Sequence, residues 1–240
     1  ERRPVRYFIF LQAVGALKTL MPEIHNLVGV PAGSFTHHPE GDTFTHTMLV
    51  MDQATVHMNW NTKAARSTED KEFSAMMHWC SLVHDLGKGT TPKEILPKHH
   101  GHEERGVPLE ESLAHRLRLP NSYRENGKLV ARYHTHVHNV NKLKAKTIVN
   151  MHADLRVKSN KNIIEYLVYT SCFDARGRGP FFDNVQYLNR AIMSRALHAC
   201  DSIFARNVCT EEELKNPNII KDRIFNAKVR AVTDAKRKFN

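Results

Sequence analysis

Residues 81–92 read Ser-Leu-Val-His-Asp-Leu-Gly-Lys-Gly-Thr-Thr-Pro, and the fold is read outward from them. On the N-terminal side, Phe73, Met76, Met77, Cys80 and Val83 recur at spacings of three and four, the period of one buried helical face. Gly87 and Gly89 then end that helix, so His84-Asp85 falls in its last turn. Adjacent residues on a helix point about 100° apart. In a fraying last turn, however, an imidazole and a carboxylate can still converge on one ion. Lys88 adds a cation within reach of a phosphate bound there. Alone, a His-Asp pair is more often a buried histidine beside a turn-forming aspartate, so its surroundings must decide.

Helical periodicity continues on both sides. Helices are expected over 5–21, 43–57, 72–86, 103–117, 123–133, 145–155, 162–172, 187–204 and 219–238. Pro22 stops the first and Leu119-Pro120 the fourth. No alternating run reads as a strand, and there is no internal repeat or low-complexity linker. The expected architecture is all-α: one domain over residues 1–205, followed by a basic helical tail over 206–240.

Composition narrows the function. The chain has 240 residues, 41 % hydrophobic and 25 % charged, which excludes disorder. No apolar run approaches the ~20 residues of a membrane helix, and no signal peptide opens the sequence. Cys80, Cys172, Cys200 and Cys209 are far apart without a paired spacing. That pattern argues against a disulfide framework or zinc knuckle and for a reducing compartment, the cytoplasm. Thirty-five Lys and Arg against 25 Asp and Glu give a net +10, which points to an anionic partner, nucleic acid first. Sixteen histidines bunch at 37–46, 78–84, 99–102 and 134–138, as a site assembled from several elements would require.

Two further motifs join the pair. Thr45-His46-Thr47 sits in the first turns of an earlier helix, and Phe173-Asp174-Ala175-Arg176 closes a later one. Two imidazoles and two carboxylates form a mixed nitrogen and oxygen set suited to Mn, Fe, Co, Ni or Zn, and to Mg if waters fill the shell. Four ligands leave positions open for a water and a phosphate oxygen.

His46, His84-Asp85 and Asp174 together resemble the pattern of the HD-superfamily metal phosphohydrolases. More closely, the chain is similar to the C-terminal HD region of bacterial CCA-adding tRNA nucleotidyltransferases. The matching stretches are His38-Pro39-Glu40-Gly41-Asp42 with His46-Thr47, then Val83 through Pro92, and Leu96-Pro97-Lys98-His99-His100-Gly101-His102-Glu103. Arg118-Leu119-Pro120-Asn121 and Asp174-Ala175-Arg176-Gly177-Arg178 complete them. The resemblance spans about residues 5–205, with 1–30 as a helical connector and 31–178 as the metal-site core. It implies an HD helical bundle with His46, His84, Asp85 and Asp174 as metal ligands. His102 and His134 would bind a second metal or contact the phosphate. Lys88 and Arg178, with Arg176 as a weaker candidate, would neutralise phosphoryl oxygens, and Asp85 and Lys88 would be catalytic. The implied activities are 2′,3′-cyclic phosphodiesterase, 2′-nucleotidase and phosphatase, supported by a divalent ion such as Ni, Mn, Co or Mg. RNA 3′ ends, tRNA foremost, or small nucleotides would be the partners, in RNA repair or processing. The Gly-Ser and Asp-x-Asp motif of the nucleotidyltransferase head is not in the sequence, so nucleotide addition is not expected of this chain, and a stand-alone hydrolase gene is favoured.

Other residues carry two readings. His99 and His100 read as loop residues, and His102 stands about even between loop and site. His134 and His138 share a helical face, with His134 the better candidate and His138, like His38, a pocket-lining one. Glu40 and Asp42 could orient a ligating imidazole or cap the following helix. The tail cations Lys221, Arg223, Lys228, Arg230, Lys236, Arg237 and Lys238 read as a solvated face or a sequence-independent phosphate contact. No run alternates aromatic with basic residues as a base-stacking platform would. Two rival functions remain: an HD hydrolase of free nucleotides or cyclic nucleotide signals, and a non-catalytic RNA-binding module on the same scaffold.

Overall fold

Asp42 starts the first long helix of the site by accepting a hydrogen bond from the Thr45 amide at 2.7 Å, and Ser67 starts the second through a reciprocal capping box with Asp70. These are α4 (Thr43–His57) and α5 (Thr68–Val83) of a computed structural model that describes residues 3–58 and 67–238. The other helices are α1 (Val5–Ala13), α2 (Leu17–Leu20), α3 (Pro22–His25), α6 (His102–Arg116), α7 (Asn121–His138) and α8 (Ala145–Leu155). They continue with α9 (Ile163–Arg176), α10 (Leu188–His198), α11 (Ala205–Val208) and α12 (Pro217–Arg237). The fold is all-α. Among the described residues no strand forms, and a single antiparallel bridge joins Pro31 to Asp42.

Several helix ends differ from expectation. The first expected helix breaks after Ala13 because Gly15 takes a left-handed backbone, φ 75°. α7 runs five residues beyond Tyr133 and so carries His134 on the helix itself. The helix expected over 187–204 ends at His198, where the chain turns so that Asp201 accepts from His152 at 2.8 Å and His198 at 3.2 Å.

The chain divides into two compact units, one of residues 1–135 with 169–186, the other of 136–168 with 187–240. The first unit packs α4 against α5 and α1, and α6 against a 3-10 turn over Leu86–Thr90. Its core includes Leu17, Ile24, Met51, Met77, Leu113 and Phe173, all fully buried. The second unit packs α12 against α8 and α10 through Val232 and Ala235, over Ile148, Met151 and Leu155. The C-terminal helix α12 belongs to the second unit and packs on α8 and α10. Several of its cations are already engaged, since Arg223 pairs with Glu213, Arg237 with Asp234, and Lys236 donates to the Leu143 carbonyl at 2.6 Å.

Cys80, Cys172 and Cys200 are buried and Cys209 is half-buried, and none of them is in a disulfide. No described helix is long and apolar enough to cross a membrane.

Candidate metal centre

Each histidine and acid of the site, all in the first unit, is delivered by a local feature of the sequence. The Asp42 cap sets the first turn of α4, which turns His46 fully inward. α5 ends at Val83. His84 still has helical backbone angles while Asp85 leaves them (φ −110°, ψ 12°), so the two side chains can serve one place despite being adjacent. Gly87 follows because backbone must pass over backbone: a Cβ there would lie 1.9 Å from the His102 carbonyl oxygen and 2.6 Å from the Gly106 nitrogen. That contact lays α6 on the 3-10 turn and brings His102 to Asp85. Gly177, just past α9, does the same against α4. A Cβ would lie 2.8 Å from the Val50 nitrogen, and its carbonyl stands 3.0 Å from His46 Nδ1.

Four imidazoles share one orientation. Nδ1 of His46 faces the Gly177 carbonyl, that of His84 the Ser81 carbonyl at 2.8 Å, that of His102 the His99 carbonyl at 2.8 Å, and that of His134 the Ala131 carbonyl at 3.0 Å. A carbonyl only accepts, so each Nδ1 carries the proton and each Nε2 can present a lone pair inward. Backbone acceptors behind ligating imidazoles are the usual way a protein fixes ring orientation and tautomer at a metal.

The carboxylates complete three groups of three among the described residues, of which that of His38, Glu40 and His46 is only part-buried and the other two are buried throughout. His46, His84 and Asp174 form one, and Asp85, His102 and His134 the other; within each, the ligand atoms lie within 4.8 Å of one another, and all six residues are buried. Asp85 faces both. Its Oδ2 stands 3.3 Å from His84 Nε2 and 3.8 Å from His46 Nε2, while its Oδ1 stands 3.3 Å from His102 Nε2 and 3.5 Å from His134 Nε2. His84 Nε2 and both Asp85 oxygens are buried without a well-aligned hydrogen bond. Buried polar atoms in that condition are costly unless something else satisfies them, and borderline N/O donors aimed at a common point fit divalent ions.

Electrostatics agree. Burial alone would raise the Asp85 carboxyl, but the Lys88 ammonium and surrounding imidazoles hold it well below the usual carboxylate range. Burial would lower His46, yet hydrogen bonds to Asp174 and Glu40 outweigh it and bring its pKa up to about 9. Glu40 would be raised by burial, but His38 and His46 bring it down to about 2.

The remaining expected residues divide. Lys88 is buried, its ammonium 2.8 Å from Asp85 Oδ2 and donating to the Ala32 carbonyl at 3.0 Å. Arg178 reaches the His37 carbonyl through Nη1 at 3.5 Å, and its Nε is buried without a partner. Arg176 instead donates through Nε to the Val185 carbonyl at 3.2 Å, a loop tether. His38 pairs with Glu40 at 2.8 Å, and Glu40 also reaches His46 Nδ1 at 2.7 Å, whereas Asp42 serves as the helix cap. His138 belongs to the second unit and shares a hydrogen bond with the Tyr187 hydroxyl at 2.7 Å. His99, read from sequence as a loop residue, is buried and braced between Thr91 and the Pro31 carbonyl. Only the flanking Pro and Gly signalled that its loop was fixed.

No protein-family profile matches the chain. It is 38 % identical over 237 residues to the multifunctional CCA protein of Methylobacillus flagellatus, covering 99 % of this chain and 53 % of that one. To the multifunctional CCA protein of Mannheimia succiniciproducens it is 39 % identical over 182 residues (75 % and 41 % of the two chains), and to that of Haemophilus influenzae 33 % over 236 (98 % and 54 %). The chain spans about half the length of these relatives. Near-complete coverage on one side and partial coverage on the other identify it as a homologue of the multifunctional CCA proteins that matches a partial, C-terminal region of them.

Proposed function

We propose that this chain is a metal-dependent phosphohydrolase of RNA and nucleotide phosphoesters, whose substrate is the 2′,3′-cyclic phosphate at an RNA 3′ end, that of tRNA foremost. The observation that carries the reading is the meeting of two buried ligand groups on the two oxygens of Asp85. A merely structural His-Asp pair has no need of four imidazoles with matched orientation. Divalent ions held by His46, His84 and Asp174, and by Asp85, His102 and His134, would polarise a phosphoryl oxygen and lower the pKa of a bound water.

The protein's own groups supply the rest. Lys88 donates to the Ala32 carbonyl and holds its ammonium 2.8 Å from Asp85 Oδ2, so a positive charge with donors to spare stands where a phosphoryl oxygen would bind. Arg178 is the better of the two arginines, because its fork is nearly uncommitted while Arg176 is tied to Val185. Water attack at phosphorus breaks one P–O bond of the ring, and the released ribose oxygen takes up a proton, leaving a monoester. The net charge of +10 and the relatives' name favour an RNA substrate with a CCA terminus. Four cysteines outside any disulfide favour a cytoplasmic setting.

The test is ring opening of 2′,3′-cyclic AMP and of an RNA ending in a cyclic phosphate, with Mg, Mn, Co and Ni, and Asp85→Ala as control. Metal-dependent turnover that disappears in Asp85→Ala, with preference for the RNA, is expected. Preference for the free nucleotide would favour nucleotide clearance, and no turnover with either would overturn the RNA-end reading.

A further inference from the structure

The net charge of the chain lies almost entirely in one unit. The second unit holds 17 Lys and Arg against 8 Asp and Glu, a net +9, while the first, which carries the metal centre, holds 18 against 17. The imbalance has a focus. Phe204, just before α11, is 39 % exposed, with the Lys158 ammonium 5.2 Å and the Arg206 guanidinium 5.6 Å from its ring centroid. Both cations are exposed and come from the unit's two separate stretches of sequence, on the turn after α8 and on α11. Lys228 lies on α12, which packs against both α8 and α11. Lys158, Arg206 and Lys228 take part in none of the ion pairs of the described residues.

We infer that Phe204, Lys158, Arg206 and Lys228 form a binding surface for a single strand of RNA, separate from the metal centre. The ring restrains two long side chains that would otherwise lose entropy on binding, so phosphates meet cations already in place. The exposed part of the ring, with the flat guanidinium beside it, offers the sequence-tolerant stacking surface that single-strand binders combine with a positive groove. The choice of RNA among polyanions rests on the reading of the metal centre as an RNA-end hydrolase; the strand contact itself does not. The surface would hold the body of a substrate whose end is hydrolysed elsewhere in the chain.

The experiment is fluorescence anisotropy of a labelled single-stranded RNA 12-mer with the full chain in EDTA, from 50 to 200 mM salt. Three phosphate contacts at about 0.7 each predict a slope near −2 in log affinity against log salt, about a 16-fold loss over that range. Phe204→Leu should weaken binding about 10-fold with the slope unchanged. Lys158→Gln with Arg206→Gln should weaken it and make the slope shallower by about 1.4. Lys142→Gln with Lys215→Gln removes the same charge elsewhere in the unit and should do less. Equal effects of the two double variants would overturn a located surface in favour of net charge, and unchanged binding in Phe204→Leu would overturn the stacking role. Loss of binding in Asp85→Ala would place the strand at the metal centre instead. Hydrolysis of cyclic AMP should be unaltered in Phe204→Leu while KM for the RNA rises. Because the binding assay contains no metal and no turnover, it stands even if the hydrolase reading falls.

Discussion

Asp85 and His46 show how much of this site is settled one residue at a time. Asp85 was legible as a ligand from its place beside His84, but its position between two groups was not, because that depends on where Gly87 lets α6 come to rest. Gly87→Ala should therefore abolish the second group first: the 1.9 Å approach to the His102 carbonyl is backbone and cannot swing away. Metal titration of that variant should show fewer ions bound than in the parent protein. His46 sets a pH dependence. Its pKa of about 9 means that the ring is protonated at neutral pH, and a metal must displace that proton. Apparent metal affinity should rise up to about tenfold per pH unit between 7 and 9, with proton release visible by calorimetry in buffers of different ionisation enthalpy. The same group stabilises the fold when no ion is present. A raised pKa gives stability that is full below about 6.5 and lost as pH rises through about 9.

At the scale of elements, where helices form was readable but their ends were not always so: α5 starts at Thr68, four residues before the expected start, behind the Ser67 capping box. α4 and α8 have the expected ranges, the first because Asp42 caps it. The first expected helix divided at Gly15, where periodicity alone could not reveal a positive φ. Asp201 drew the chain out of α10 through histidines distant in sequence. The packing of α5 on α6 has its own test. Glu110 is fully buried, its Oε1 accepts from Trp79 Nε1 at 3.2 Å, and burial pushes its pKa up to about 8. Between about pH 4.5 and 8 the folded chain keeps a proton that the unfolded chain gives up, so stability falls as pH rises, by at most about 1.4 kcal/mol per pH unit. Glu110→Gln keeps an acceptor for Trp79 and should remove that part of the fall, seen as a smaller drop in urea midpoint from pH 5 to pH 8 than in the parent, with the His46 contribution left in both. Ser67→Ala, which breaks the capping box of α5, should cost about 1 kcal/mol at any pH in the same assay.

For the molecule as a whole, the sequence showed a charge but not where it lies. Read along the chain, the net +10 shows a basic stretch over 206–240, and the division into units assigns +9 of it to one of them, including cations at 142–161. Along the expected basic tail the cations are dense in sequence, but Arg223, Lys236 and Arg237 are committed to partners, Glu213, the Leu143 carbonyl and Asp234. The six candidate ligands, by contrast, each stand in a stretch singled out from the sequence, and what folding added was their convergence into groups that could hold an ion. Since all six belong to the first unit, an ion should act on that unit's stability in particular. Saturation at 100 times Kd stabilises the state that binds by about 2.7 kcal/mol. Hydrogen exchange with and without Mn should then show protection gained over residues 43–57, 84–106 and 169–178, which surround the ligands. Residues 144–156 and 217–237 should change far less, because the second unit contributes no ligand to either group. Equal protection across both would mean that the two units unfold as one, and the partition would then describe packing density rather than cooperative structure.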